Sequence, residues 1–272
     1  MAQRETSWPA AASTRTPRAL AGPLGTATVL GAFPSALYLL CHDGSLLPVV
    51  TPSGLRLPTA VVLASSGPPS GWGVRPGDRV EVGGTEVRLP AGTVRAVRTW
   101  VPARLPAVQA PPEAVAVVAA AASDTWRDPA LELARAVPRG DDITATVAEV
   151  VGRGPGLTPS GDDVLAGVLL GLRASPALRD HLWRAVSPRL GGTTSLSAAL
   201  LAEAAEGYAV PAVLRLGAAL VAGGTDLGQA VREVAAVGHS SGTDLLAGLA
   251  AGLAVVAEPV PNRSGELVGA LT

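Results

Sequence analysis

The chain has 272 residues, a length that suits one large domain or two ordinary ones. Its formal net charge is −1 and only 16% of its residues are charged, so no basic surface stands out and nucleic acid is not expected as a partner. The sequence contains no lysine, which excludes a Walker-type phosphate loop and a pyridoxal Schiff base.

The beginning of the chain, residues 1–19, is polar and rich in Ala, Ser, Thr and Pro, and it contains no hydrophobic signal segment. We interpret it as a disordered leader. The longest apolar run, Leu245–Ala257, is shorter than the roughly 20 residues that a membrane-spanning helix needs. A cytoplasmic location without a membrane partner is therefore expected.

Residues 20–108 show the signals of short strands. Runs of β-forming residues alternate with clusters of Gly, Pro and Ser, and the clearest pair is Arg79–Val82 and Thr85–Leu89 on either side of Gly83-Gly84. This pattern predicts a hairpin within a small antiparallel β-domain that is barrel-like or an open barrel.

Residues 109–272 have a helical character that begins at Pro111-Pro112. Capping residues at their ends delimit the further predicted helices, which are Pro129–Val137, Ile143–Val151, Asp162–Leu172, Pro176–Val186, Ser197–Glu206, Ala212–Ala222, Leu227–Val237 and Thr243–Ala257. The predicted class is therefore α+β: a β-rich domain over 20–108, then an all-helical domain with a glycine-rich turn at a helix N-terminus.

Two segments of the helical part resemble each other. Ser160–Gly167 reads SGDDVLAG and Ser241–Gly248 reads SGTDLLAG. Each offers a capping box in its Asp form, Ser160 with Asp163 and Ser241 with Asp244. Each also continues into a Gly-xxx-Gly face, which lets two helix backbones approach closely. We expect the two glycine faces to pack on each other, whereas the relative direction of the two helices stays open.

The turn from Gly152 to Asp163 contains more than a helix start requires, namely four glycines, two prolines, Thr158 and a second aspartate. Glycine allows close approach of a ligand to the backbone, proline stiffens the loop, and free N–H groups at a helix start favour a carboxylate or phosphate. The candidate ligand-binding residues of this turn are Gly154, Gly156, Thr158, Ser160 and Gly161. A rigid helix–helix connection is the structural alternative.

The two aspartates of the turn are candidate catalytic residues. Asp163 is expected to serve the capping box, while Asp162 could hold an amine or amide, bind Mg²⁺ that carries a phosphate, or act as a base. No cofactor is identified, and Mg²⁺ is the one metal considered. A small anionic substrate with an N–H end would suit the whole turn.

A second set of candidates lies further along the chain. His239 precedes the second repeated segment and could carry a proton, although a hydrogen-bonded loop histidine is the simpler interpretation. Several hydroxyl-bearing residues, one glycine and one aspartate could bind a ligand or merely cap helices. They are Thr193, Thr194, Ser197, Ser240, Ser241, Gly242 and Asp244.

The string Gly154–Asp163, with Thr193-Thr194, Ser197 and Gly238–Asp244, resembles the family of AllH, a subunit of the oxamate carbamoyltransferase of anaerobic allantoin breakdown, formerly a domain of unknown function. The resemblance covers the helical part, is weak over the β-part and is absent from the first twenty or so residues. Arg153 departs from the pattern, since a small or apolar residue is expected there.

The resemblance implies transfer of a carbamoyl group between carbamoyl phosphate and a small amide acid such as oxamate, in ureide nitrogen metabolism and with companion protein subunits. In that role Asp162 would position the substrate N–H, backbone amides of Gly154–Gly161 would hold an oxyanion, and His239 would carry a proton. The alternatives are a non-catalytic small-anion-binding or regulatory subunit and a structural scaffold.

Overall fold

The computed structural model describes residues 6–66, 71–224 and 226–257. Within them the chain is α+β, as the sequence predicts: a closed eight-stranded barrel precedes a helical region. The strands are β1 (Ser7–Ser13), β2 (Gly25–Phe33), β3 (Ala36–Leu40), β4 (Leu46–Val50), β5 (Val61–Leu63), β6 (Arg79–Gly83), β7 (Glu86–Leu89) and β8 (Gly92–Trp100). The helices are α1 (Arg18–Ala21), α2 (Pro112–Ala120), α3 (Asp124–Arg139), α4 (Thr144–Val150), α5 (Ser160–Gly171), α6 (Pro176–Val186), α7 (Ser195–Ala205), α8 (Pro211–Ala222), α9 (Leu227–Ala235) and α10 (Ser241–Ala257).

The barrel closes in the strand order β1-β5-β4-β3-β2-β6-β7-β8. Most neighbouring strands are antiparallel, but β1 runs parallel to β8 and β4 runs parallel to β5. The predicted hairpin is confirmed between β6 and β7, where Gly84 and Thr85 both adopt positive φ. That conformation is the one a two-residue type I′ turn requires.

The expectation of a disordered leader is wrong for residues 7–13. They form β1, which pairs with β5 on one side and with β8 on the other and so closes the barrel. Trp8, Ala10 and Ala12 are buried in alternation, as a strand with one face on a core requires. Residues 1–5 lie outside the described residues. The polar, small-residue composition that suggested disorder is equally compatible with a narrow barrel interior.

The helical part is organised around α5 and α10, whose backbones touch along the two glycine faces. A Cβ on Gly167 would lie 2.7 Å from Leu249 N, and a Cβ on Gly171 would lie 2.8 Å from the Cα of Gly252. Gly248 in turn has no room for a Cβ against the carbonyl of Val164. Because Gly167 meets Gly248 and Gly171 meets Gly252, the two helices run parallel and their N-termini lie side by side.

The pairing extends to the helices that precede each repeat. A Cβ on Gly161 would overlap the Val150 carbonyl at the end of α4, and one on Gly242 would overlap the Val234 carbonyl near the end of α9. The two short helices therefore meet the starts of α5 and α10 in the same manner, so that the resemblance between the two sequence segments reflects a structural repeat.

The barrel and the helical part are joined through both apolar and charged contacts. Leu196 of α7 packs with buried barrel residues such as Ala36 and Leu57. Beside them the Arg15 guanidinium pairs with the carboxylate of Glu203 on α7 and lies 4.1 Å from the ring centroid of Tyr208. No helix among the described residues has the length and apolar character needed to cross a bilayer.

Replacement of Gly248 by alanine is expected to destabilise the protein by about 3 kcal/mol or more, because the added methyl group would force two packed backbones apart. Thermal or urea unfolding measures the change. Gly228 of α9 is the matched control, since a Cβ there meets only the end of the Arg232 side chain at 3.5 Å. Gly228→Ala should be neutral or slightly stabilising; equal effects of both variants would contradict the close contact.

Replacement of Arg15 by alanine is expected to lower the free energy of unfolding by about 2 kcal/mol, because it leaves the buried Glu203 carboxylate without its cation. Arg88 provides the comparison, since its ion pairs with Glu81 and Glu86 lie at the surface of the barrel. Arg88→Ala should change stability by less than about 1 kcal/mol. Urea unfolding of both variants tests the difference.

Candidate functional site

The turn between α4 and α5 owes its shape to glycine. Gly152, Gly154 and Gly156 all adopt positive φ, which other residues rarely do. Pro159 occupies the N-cap position of α5 without a side-chain cap, so the predicted capping box of Ser160 with Asp163 is not formed. Both aspartates of the turn are thus released from capping.

Asp162 is buried, and both of its carboxylate oxygens accept hydrogen bonds from the protein. One accepts from the Gly152 N–H at 2.9 Å, and the other accepts from the Thr193 hydroxyl. Asp162 thus holds the first residue of the turn against the loop that precedes α7. The expectation that it also positions a substrate N–H stays a prediction.

Thr194 strengthens the same connection. It is the N-cap of α7, where its hydroxyl oxygen accepts from the Ser197 N–H at 3.0 Å. The same hydroxyl donates to the Leu157 carbonyl at 2.5 Å. Thr193 and Thr194 thus bind the turn to α7, and the capping interpretation holds for Thr194, whereas their predicted role in ligand binding stays a prediction. Ser197 is buried within α7, and its hydroxyl has no hydrogen-bond partner among the described residues.

Asp163, the residue assigned to capping, is the acid that lines a cavity. Its side chain is buried, the Ser241 hydroxyl bonds to its carboxyl group, and Oδ2 has no hydrogen-bond partner among the described residues. Burial is the main reason why the pKa of Asp163 is raised to about 8; the Ser241 hydrogen bond opposes this rise, and the charges of Asp244 and Asp162 contribute to it. The carboxyl is therefore mainly protonated at neutral pH.

Asp244 is the counterpart of Asp163 in the second repeat. It is buried near the N-terminus of α10, and its Oδ2 also lacks a hydrogen-bond partner among the described residues. The parallel packing of α5 and α10 explains why it lies close enough to act on the pKa of Asp163. The Asp244 side chain does not line the cavity.

The cavity has a volume of about 440 Å³ and lies between the barrel and the helical part. The helical part contributes the polar groups of Asp163, Thr158 and Ser241, and the hydroxyls of Thr158 and Ser241 lie 3.0 Å apart. Ser35 adds a hydroxyl from the barrel. The remaining walls of the cavity are mainly apolar and include Phe33, Tyr38, Leu55, Leu57, Leu200, Tyr208 and Val213. Among the described residues, no arginine or histidine lines it.

Other predicted site residues lie away from this cavity. His239 and Ser240 are exposed, and neither lines it, which contradicts a direct role of His239 as proton carrier there. Gly154 and Gly156 are exposed as well, and Ser160 is half-buried.

One backbone amide of the predicted oxyanion hole is already used within the protein, and the role of the others stays a prediction. The Gly161 N–H donates to the Arg153 carbonyl at 2.9 Å and is not available to a ligand. Gly242, by contrast, does line the cavity. The guanidinium of Arg153 lies 5.4 Å from the ring centroid of Trp126 on α3, so its charge does not enter the cavity either.

Sequence reasoning missed the barrel wall of the cavity. Phe33, Tyr38 and Leu57 belong to no motif, and their only sequence signal is that of ordinary β-strand or loop residues. No group of three or more His, Cys, Asp or Glu side chains that could hold a metal ion is found among the described residues.

Asp163→Asn is expected to stabilise the protein at high pH. Because the folded-state pKa of Asp163 is raised from 3.8 to about 8, the folded protein holds a proton that the unfolded chain releases, and stability falls as pH rises between these values. In the variant this part of the pH dependence of stability should disappear, and the free energy of unfolding at pH 9 should increase by about 2 kcal/mol or more.

Unfolding experiments at pH 5 and pH 9 check this expectation, with the exposed Asp128→Asn as control. Identical pH dependence in the Asp163 variant and the unaltered protein would contradict the buried, protonated state of Asp163.

Comparison with known proteins shows which family part of the chain resembles. A family model described as oxamate carbamoyltransferase subunit AllH matches residues 150–253. No curated protein and no solved structure matches the chain. The matched segment begins just before the glycine-rich turn and ends in α10, and the barrel lies outside it. Residues 150–253, with the turn, both repeated segments and the helical walls of the cavity, are thus similar to the oxamate carbamoyltransferase subunit AllH family.

Proposed function

We propose that the chain is a subunit of a carbamoyltransferase whose cavity binds the amide or ureide head of a small acid such as oxamate or oxalurate. Two observations support the proposal. The family match contains every helical residue that lines the cavity. The cavity also presents one buried carboxyl oxygen, Oδ2 of Asp163, that the protein leaves without a partner.

The polar groups of the cavity suit an amide. An amide offers N–H donors and a carbonyl acceptor, and a buried polar group needs hydrogen bonds to offset its lost hydration. The protonated Asp163 carboxyl can donate to a carbonyl oxygen and can accept from an amide N–H, while the hydroxyls of Thr158 and Ser241 can donate or accept. The adjacent N-termini of α5 and α10 add positive potential that favours the carboxylate end of such an acid.

In the direction that forms carbamoyl phosphate, a phosphate oxygen attacks the carbamoyl carbon of the ureide. The new C–O bond forms, the C–N bond to the amide nitrogen breaks, and the bonding electron pair goes to that nitrogen. Asp163 then supplies the proton that the departing nitrogen needs. A pKa of about 8 suits this role, because a general acid works best when its pKa lies near the operating pH.

The phosphate-bearing reactant needs a different site. No arginine or histidine lines the cavity in the part of the chain that the structure describes, and Asp162 and Asp244 lie nearby. A phosphate group placed there would be desolvated without a compensating cation. We therefore infer that companion subunits bind the phosphate and close the reaction site, as a subunit role in ureide nitrogen metabolism requires.

A binding or regulatory subunit without turnover is the second candidate. The mainly apolar lining of the cavity favours it, because binding alone requires no second catalytic group. In that case a ligand would raise the melting temperature of the chain, and no combination with companion subunits would produce carbamoyl phosphate.

Asp163→Asn tests the carbamoyltransferase directly. The chain is purified with the products of its neighbouring genes, and carbamoyl phosphate formation from oxalurate and phosphate is measured. Loss of the general acid should lower the rate about 100-fold or more, and the rate of the unaltered protein should fall as pH rises through about 8.

Asp128→Asn serves as the control, since Asp128 is exposed on α3 and away from the cavity. An unchanged rate in the Asp163 variant, with the complex intact, would remove Asp163 from the chemistry.

A further inference from the structure

We propose that the ligand of this cavity carries an apolar tail of several carbon atoms, which lies against the barrel wall formed by Phe33, Tyr38, Leu55 and Leu57. The inference rests on the proposed function only for the amide or ureide head group. It assigns a substrate class larger than oxamate or oxalurate, and it makes the barrel the part of the chain that selects the substrate.

The size of the cavity is the first support. An apolar cavity of about 150 Å³ holds one benzene molecule, and oxamate has as many non-hydrogen atoms as benzene. The cavity between the barrel and the helices measures about 440 Å³. Oxamate would therefore occupy about a third of it and leave most of the wall without contacts.

The chemistry of the wall is the second support. The polar groups that suit an amide head, Asp163, Thr158 and Ser241, come from the helical part. On the other side the barrel contributes mainly aromatic and aliphatic groups, and α7 and α8 add Leu200 and Val213. Apart from the hydroxyl groups of Ser35 and Tyr38, the barrel side of this wall offers apolar surface, which gains free energy mainly from contact with apolar groups.

The mouth of the cavity is the third support. Phe33, Leu55 and Leu157 are large apolar side chains that line the cavity and are nevertheless exposed to solvent. A tail that extends from the polar groups towards the barrel would cover apolar surface at these positions. The barrel residues among them lie outside the segment that matches the family, so the family resemblance does not determine what this wall binds.

A series of straight-chain primary amides, from acetamide through butanamide and hexanamide to octanamide, tests the proposal by isothermal titration calorimetry on the full chain. Each methylene that becomes buried should increase the affinity about fourfold, with one molecule bound per chain. The increase should stop when the cavity is filled.

Phe33→Ala supplies the structural control, and Leu24→Ala is its matched partner. Both residues are exposed apolar side chains on the barrel, at 44% and 46%, but only Phe33 lines the cavity. Phe33→Ala should lower the affinity for octanamide at least fivefold and leave the affinity for acetamide unchanged, whereas Leu24→Ala should change neither affinity. Affinity that does not increase with chain length, or an increase that Phe33→Ala leaves untouched, would overturn the proposal.

The outcome is separable from that of the proposed function. If the amide series shows no gain but Asp163→Asn still abolishes carbamoyl phosphate formation from oxalurate, the tail is wrong and the carbamoyltransferase stands. If affinity increases with chain length and Phe33→Ala removes this increase, but no carbamoyl transfer is detected, the proposed tail site stands and the proposed carbamoyltransferase function is wrong.

Discussion

The contact between the backbones of α5 and α10 is the constraint on which the site depends. Gly167 and Gly171 meet Gly248 and Gly252 in matching register, and no other residue type fits at this distance. Because the register is parallel, both helices begin at the same place. An antiparallel arrangement would separate the two starts by about the length of α5, roughly 18 Å, and Asp163 would lose both Ser241 and Asp244 as neighbours.

Because the two helices begin side by side, three buried carboxyl groups lie close together, and their hydrogen-bond partners differ. Asp162 receives two hydrogen bonds from Gly152 and Thr193, which hold the turn in shape. Asp163 and Asp244 each retain one oxygen without a partner among the described residues. A buried acid with a raised pKa, such as Asp163, is a common feature of sites that move protons. Of the three, only Asp163 reaches the cavity.

The sequence predicts the helices, the glycine-rich turn and the repeat, because caps, breakers and matching segments are local signals. It names both Asp162 and Asp163 as candidate catalytic residues but does not show that only Asp163 lines the cavity. Neighbouring helical residues point about 100° apart, and which of them faces the cavity depends on the rotation that the glycine contacts impose on α5. A capping box also needs Ser160 at the N-cap, where Pro159 stands instead. The strand β1 escapes prediction because Ala10 and Ala12 become strand residues only through pairing with distant β5 and β8.

Both the barrel and the helical part contribute residues to the wall of the cavity. The α5–α10 contact places Asp163 and Ser241, whereas the apolar walls come both from the helical part and from strands and loops of the barrel. The barrel is held against α7 by Leu196 and by the Arg15–Glu203 pair. Much of both sides is therefore carried by regular, packed elements, so the cavity is formed before a ligand enters, as binding sites usually are. The glycine contacts between α5 and α10 and the hydroxyl of Ser241, which hold Asp163 in place, belong to the helical part, whereas Phe33 and Leu57 belong to the barrel. Substitutions at these barrel positions are therefore expected to change the wall of the cavity while the α5–α10 contact beside Asp163 stays in place.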